Sequence, residues 1–141
     1  MKKNKNEKGF TLFELLVSIS IIGILTALAS VAFSGAQKKA RDARRVQDIK
    51  AIQTAAEQYY SQNSYVYPTN STTPWQGNNL DILSVFPKDP KTNDVYPYTY
   101  TALTNTYCVC ALMENTTAGN SGAGCTDFGI ITTYFCAKNQ Q

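Results

Sequence analysis

The 141-residue sequence predicts an α+β fold: one long N-terminal α-helix packed on a small antiparallel β-sheet head. Three observations carry this expectation. An apolar run of about 24 residues, Phe10 to Phe33, is long enough to cross a bilayer as a helix. A helical period continues beyond it to Gln62. The last third is rich in β-branched and aromatic residues and holds all four cysteines.

The apolar run contains no proline, has Glu14 as its one charge, and includes Gly23 as a helix-weakening residue. After it, Ala36, Ala40, Ala43, Val46, Ile49, Ile52, Ala56 and Tyr59 recur every three or four residues, the spacing of one helix face. The early, small members of that stripe suit a close-packed partner, and the later Ile and Tyr suit a domain core. One continuous helix of this kind is about 52 residues and ~80 Å long, more than a head of this size can bury. It is expected to end at Ser61-Gln62-Asn63-Ser64. Five prolines punctuate residues 64–97, which read as loop, with a short helical turn over Leu80–Phe86. Strands are expected over Tyr96–Leu103, Tyr107–Met113 and Gly129–Cys136.

The net charge of +3 is local. Lys2, Lys3, Lys5 and Lys8 against Glu7 account for all of it, and from Phe10 onward nine basic residues balance nine acidic ones. A mature chain without the first nine residues has no basic excess to attract nucleic acid. The absence of histidine removes the commonest general base and metal ligand. The sequence also lacks a P-loop, GxSxG and HExxH, so no catalytic residue, cofactor or metal is expected. Cys108, Cys110, Cys125 and Cys136 do not form the CxxC pairs usual at zinc, and an even count in a small domain points to disulfides outside the cytoplasm. Cys108 and Cys110 lie on one face of a strand. The nested pairing Cys108–Cys136 with Cys110–Cys125 is expected, and the crossed pairing is its alternative.

Lys8-Gly9-Phe10-Thr11-Leu12-Phe13-Glu14-Leu15-Leu16-Val17 resembles the signature of type IV prepilins: a basic leader, a glycine, then Phe-Thr-Leu-x-Glu opening an apolar helix. The resemblance implies a pilin fold and four segments: a cleaved leader 1–9, a membrane and filament-core helix 10–35, its amphipathic continuation 36–63, and a head 64–141. It also implies that a prepilin peptidase cuts between Gly9 and Phe10 and that Phe10 is N-methylated. Glu14 then meets the N-terminal amine of a neighbouring subunit in the filament. The implied partners are copies of this chain and other pilins, the peptidase, an assembly platform, a separate motor ATPase and the cytoplasmic membrane. The same signature opens major pilins, type II secretion pseudopilins and competence pilins, so the alternative is a pseudopilin of a secretion or DNA-uptake system with a binding role. DNA itself is an unsupported partner, because the head offers only Lys88, Lys91 and Lys138 beside its tyrosines.

Two other readings of this terminus exist. One is a conventional signal peptide cut after Ala27-Leu28-Ala29, but its apolar region would be too long and would contain a carboxylate. The other is a single-pass anchor that never assembles. Thr11-x-x-Glu14 is by itself a capping box, with Phe10 and Leu15 as a hydrophobic staple.

The expected location is a single pass through the cytoplasmic membrane, leader inside and head outside, then a surface filament. Lys38, Lys39, Arg41, Arg44, Arg45 and Lys50 oppose that orientation on charge counting. The cysteines and the leader favour it. That basic cluster is free to face lipid headgroups, acidic neighbours or solvent.

Phe86-Pro87-Lys88-Asp89-Pro90 and Tyr96-Pro97-Tyr98 are similar to a loop of pseudopilins. Lys91 to Val95 replaces the usual Trp-Gly there, which weakens any carry-over of a calcium site. Asp89, Asp94 and Asp127 are expected as turn formers. The nine tyrosines are expected mainly in packing.

Overall fold

The computed structural model describes residues 9–91, 98–103 and 105–140. The lysine-rich segment before Gly9 lies outside the described residues, as do Asp94, Val95, Tyr96 and Pro97. The order is α1 (Leu12–Gln62), β1 (Trp75–Gly77), β2 (Leu80–Leu83), β3 (Thr99–Leu103), β4 (Thr106–Leu112) and β5 (Tyr134–Lys138). β1 and β2 form a two-stranded sheet, and β3-β4-β5 form a three-stranded one. All pairs are antiparallel. The chain divides into two units between Gln37 and Lys38.

In the first unit α1 opens at Leu12 and its side chains are exposed throughout. This is the stretch that is long and apolar enough to cross a membrane. Four of its hydroxyls are satisfied locally. Ser18 donates to the Glu14 carbonyl, Ser20 to Leu16, Thr26 to Ile22 and Ser30 to Thr26, at 2.7–2.9 Å. Such bonds let hydroxyls sit in hydrocarbon without an unpaired donor.

In the second unit the later part of α1 packs Ile49, Ile52, Ala55 and Ala56 into a core with Tyr67, Trp75, Tyr107, Val109, Ala111 and Ala137. Ala36, Ala40 and Ala43 are exposed, so the expected stripe is a core face only in its later half. Tyr59, Tyr60, Tyr98 and Tyr100 pack at the core's edge, while Tyr65 is exposed. The helix ends where Ser64 and Tyr65 turn to positive φ (55° and 61°). The Tyr65 N–H donates to the Tyr60 carbonyl at 3.1 Å.

Two expected elements are corrected. Leu80–Leu83 is a strand rather than a helical turn. Asn78 and Asn79 both take positive φ (49° and 62°) between paired Gly77 and Leu80, the two-residue hairpin turn that commits both flanks to strands. The last strand is Tyr134–Lys138 rather than Gly129–Cys136. The chain before it turns at Asp127 and Gly129 (φ 52° and 79°), and the Asp127 carbonyl accepts from the N–H groups of Ile130 and Ile131.

The cysteines pair as Cys108–Cys125 and Cys110–Cys136, the crossed arrangement and not the nested one. Strand register is the reason. Cys110 and Cys136 are directly opposed across β4 and β5, with Cα atoms 4.1 Å apart, while Cys108 faces Lys138. Cys125, on the loop before β5, then serves Cys108 at a Cα separation of 5.9 Å.

Candidate functional site

Two sets of polar side chains distinguish the chain, one in each unit. In the first, the N-terminus of α1 is closed by a reciprocal capping box. The Thr11 N–H and hydroxyl donate to Glu14 Oε2 at 2.9 and 2.7 Å, and the Glu14 N–H donates back to Thr11 Oγ1 at 3.3 Å. Both bonds that Glu14 accepts from Thr11 fall on Oε2. A carboxylate has about four acceptor positions, so Glu14 keeps capacity for a further donor. Gly9 and Phe10 precede this box, and Phe10 is 85% exposed. A Cβ added at Gly9 would meet nothing within 4 Å, so packing among the described residues does not require glycine there.

The second set was not foreseen. Arg45 is fully buried, and its guanidinium lies among three carboxylates. It donates to Asp89 through Nε and Nη2 (2.5 and 2.9 Å), and through Nη1 to Asp42 (2.7 Å) and Glu114 (2.9 Å). Arg41 adds a two-pronged bond to Glu114 at 2.6 and 2.7 Å. Asp42 in turn accepts the backbone N–H groups of Glu114 and Asn115, each at 2.9 Å. The cluster thus ties α1 to the loop after β2 and to the exit of β4. Burial alone would lower the proton affinity of Arg45, but Asp89, Glu114 and Asp42 outweigh it and raise it. The Glu114 carboxyl is held down to about 2, first by Arg41 and, against burial, also by Arg45.

Arg41 and Arg45, expected in a cluster facing outward, are therefore internal ion-pair partners. A signal for this was present. Arg45 precedes Ile49, Ile52 and Ala56 at spacings of four, three and four, so it continues the buried face. Asp89 both forms a turn, accepting the Lys91 N–H at 2.8 Å, and binds Arg45.

The four cysteine sulfurs lie within 4.8 Å of one another. Paired as disulfides they present no thiolate to a metal. Their position on β4, β5 and the preceding loop makes them a staple of the head.

Comparison with known proteins adds a third line of observation. Residues 4–30 match the family model of the prokaryotic N-terminal methylation motif. The chain is 33% identical over 136 residues to a type II secretion system core protein G of Vibrio cholerae, covering 88% of this chain and 92% of that protein. It is 42% identical over 53 residues to a fimbrial protein of Pseudomonas aeruginosa, covering 38% and 34%. It is 36% identical over 59 residues to a type IV major pilin protein of Myxococcus xanthus, covering 42% and 27%. The chain therefore spans nearly all of the Vibrio relative and about a third or less of the other two. No solved structure matches it significantly.

Proposed function

The chain belongs to the type IV pilin and pseudopilin family, and from that premise we propose that it is a structural filament subunit matured by removal of residues 1–9. A prepilin peptidase cuts between Gly9 and Phe10, and the new Phe10 amine is N-methylated. The exposed apolar part of α1 first anchors the subunit in the cytoplasmic membrane, with the head outside, and later packs beside other copies in a pilus or pseudopilus. Within the family, the near-complete alignment with a secretion core protein favours the pseudopilin branch. The role is structural, and energy for assembly falls to a separate motor ATPase acting through an assembly platform.

The observation that carries this reading is Glu14. A charge at the centre of a spanning helix costs roughly 2.5–3.5 kcal/mol on insertion scales, and Glu14, in the first turn of that helix, bears a smaller cost that still calls for compensation. The capping box supplies part of that compensation within the chain. Capacity beyond the two Thr11 bonds suits a cationic partner, and a neighbour's Phe10 amine is one. In a dry filament core the pairing sets register, because an unmatched buried charge is penalised. Gly9 supports the processing step, since the described fold gives no packing reason for a glycine there.

The test compares Glu14→Leu and Glu14→Gln with the parent in the same cells. Membrane abundance and leader cleavage should stay normal, while sheared surface filaments fall to few or none. Glu14→Gln keeps side-chain length and part of the cap while deleting the charge. If both variants build filaments as well as the parent, Glu14 only caps the helix and the docking role is wrong.

A further inference from the structure

Five basic residues of α1 lie between the apolar run and Asp48, and the fold separates them by availability. Arg41 and Arg45 are engaged by Glu114, Asp89 and Asp42. Arg44 is exposed but lies 4.0 Å from Asp48. Lys38 and Lys39 are exposed, and neither has an ion pair among the described residues. They follow Phe33 by five and six residues, and no acidic residue stands between Glu14 and Asp42.

We propose that Lys38 and Lys39 form a binding surface for the headgroups of anionic phospholipids. This rests on the membrane-anchored stage of the reading above and not on filament assembly. The physical case begins with position. Residues that close an apolar span lie where hydrocarbon gives way to phosphate. A lysine stem can run along apolar surface while its ammonium reaches the headgroups. Each lysine near an anionic surface contributes about 1 kcal/mol, or roughly fivefold in lipid preference.

A second copy of this chain is a poorer acidic partner for the pair. Asp42, Asp89 and Glu114 are already bound to arginine. The carboxylates exposed in the described part of the head are Asp81 and Asp127, and Asp81 accepts a bond from Gln76 at 2.8 Å. The two lysines are thus left for a lipid surface by the same cluster that occupies the two arginines.

The full-length chain in neutral detergent is offered equimolar phosphatidylglycerol and phosphatidylcholine, and native mass spectrometry counts the lipids retained. The parent should prefer phosphatidylglycerol by roughly 25-fold. Lys38→Gln and Lys39→Gln should each reduce that preference about fivefold, and together bring it near parity. Lys88→Gln, an exposed lysine outside the helix, should leave it unchanged, and excess inorganic phosphate should not displace the lipid.

Equal retention of the two lipids by the parent, or an undiminished preference in the double variant, overturns the proposal. Filament loss in a double variant that keeps its lipid preference would assign the lysines to a neighbouring subunit instead. Flotation of the parent with vesicles separates the two levels of inference. A chain that does not float refutes the anchored stage itself, and one that floats without lipid preference refutes only the headgroup surface.

Discussion

Arg45 on α1 and Asp89 in the loop after β2 meet through two parallel hydrogen bonds, Nε to Oδ2 at 2.5 Å and Nη2 to Oδ1 at 2.9 Å. The planar fork of a guanidinium matches the two oxygens of a carboxylate, which gives this pair directional specificity as well as attraction. With Asp42 and Glu114 at the remaining edge, the guanidinium is surrounded by acceptors. It fixes the loop after β2 and the exit of β4 against one turn of the helix.

Removing the cation should therefore cost more than removing a surface charge. Arg45→Met fills similar volume but leaves Asp42 and Asp89 without their shared guanidinium. Loss of one partner from a buried ion pair costs about 3–5 kcal/mol. Chemical denaturation of the head's aromatic signal should show a destabilisation of that order. A loss below about 1 kcal/mol would mean that the buried cluster is energetically neutral.

Acid should weaken the same cluster through Glu114. Its carboxyl is held at about 2 in the folded chain, against an ordinary value of 4.5. A depressed carboxylate contributes stability that is fully present above the unfolded value and is lost as pH falls through the folded one. The melting temperature should decline as pH falls from 4.5 toward 2, and Glu114→Gln should make this decline shallower. Identical acid profiles for parent and variant would remove Glu114 from the explanation.

Maturation should leave Phe10 as the first residue, carrying an added methyl group on its amine. Mass spectrometry of the membrane or filament form reads this directly. Gly9→Leu should leave uncut precursor in the membrane. A mature chain beginning at Ser30 would indicate conventional signal cleavage after Ala29 and refute the filament-subunit reading.

Disulfide mapping should recover Cys108–Cys125 and Cys110–Cys136. Because only Val109 separates the first two cysteines, partial reduction with stepwise alkylation is needed to assign them. Removing Cys110–Cys136 by a double change to alanine should cost about 2–5 kcal/mol in the head and leave the other bond intact. Recovery of Cys108–Cys136 would show that the β4–β5 register differs from the one described here.

Short-range pattern was enough for the helix, its apolar first part, the capping box and the α+β class. Each depends on residues a few positions apart: Thr11 with Glu14, or Ile49 with Ile52 and Ala56. The Gly-Phe-Thr-Leu-Phe-Glu stretch likewise carries its family signature in consecutive residues. Turn chemistry was present too, but Asn78-Asn79 declares a hairpin only when Leu80–Leu83 finds β1 beside it. The start of β5 at Tyr134, the pairing of Cys110 with Cys136, and the burial of Arg45 were decided by tertiary structure. These are relations between distant segments, set by strand register and by which carboxylates the chain brings to one point. A lone arginine in a helix reads as solvated until Asp89 and Glu114, 44 and 69 residues away, arrive to pair with it. Burial of a charge is a property of its partners' positions, and local sequence does not contain those positions.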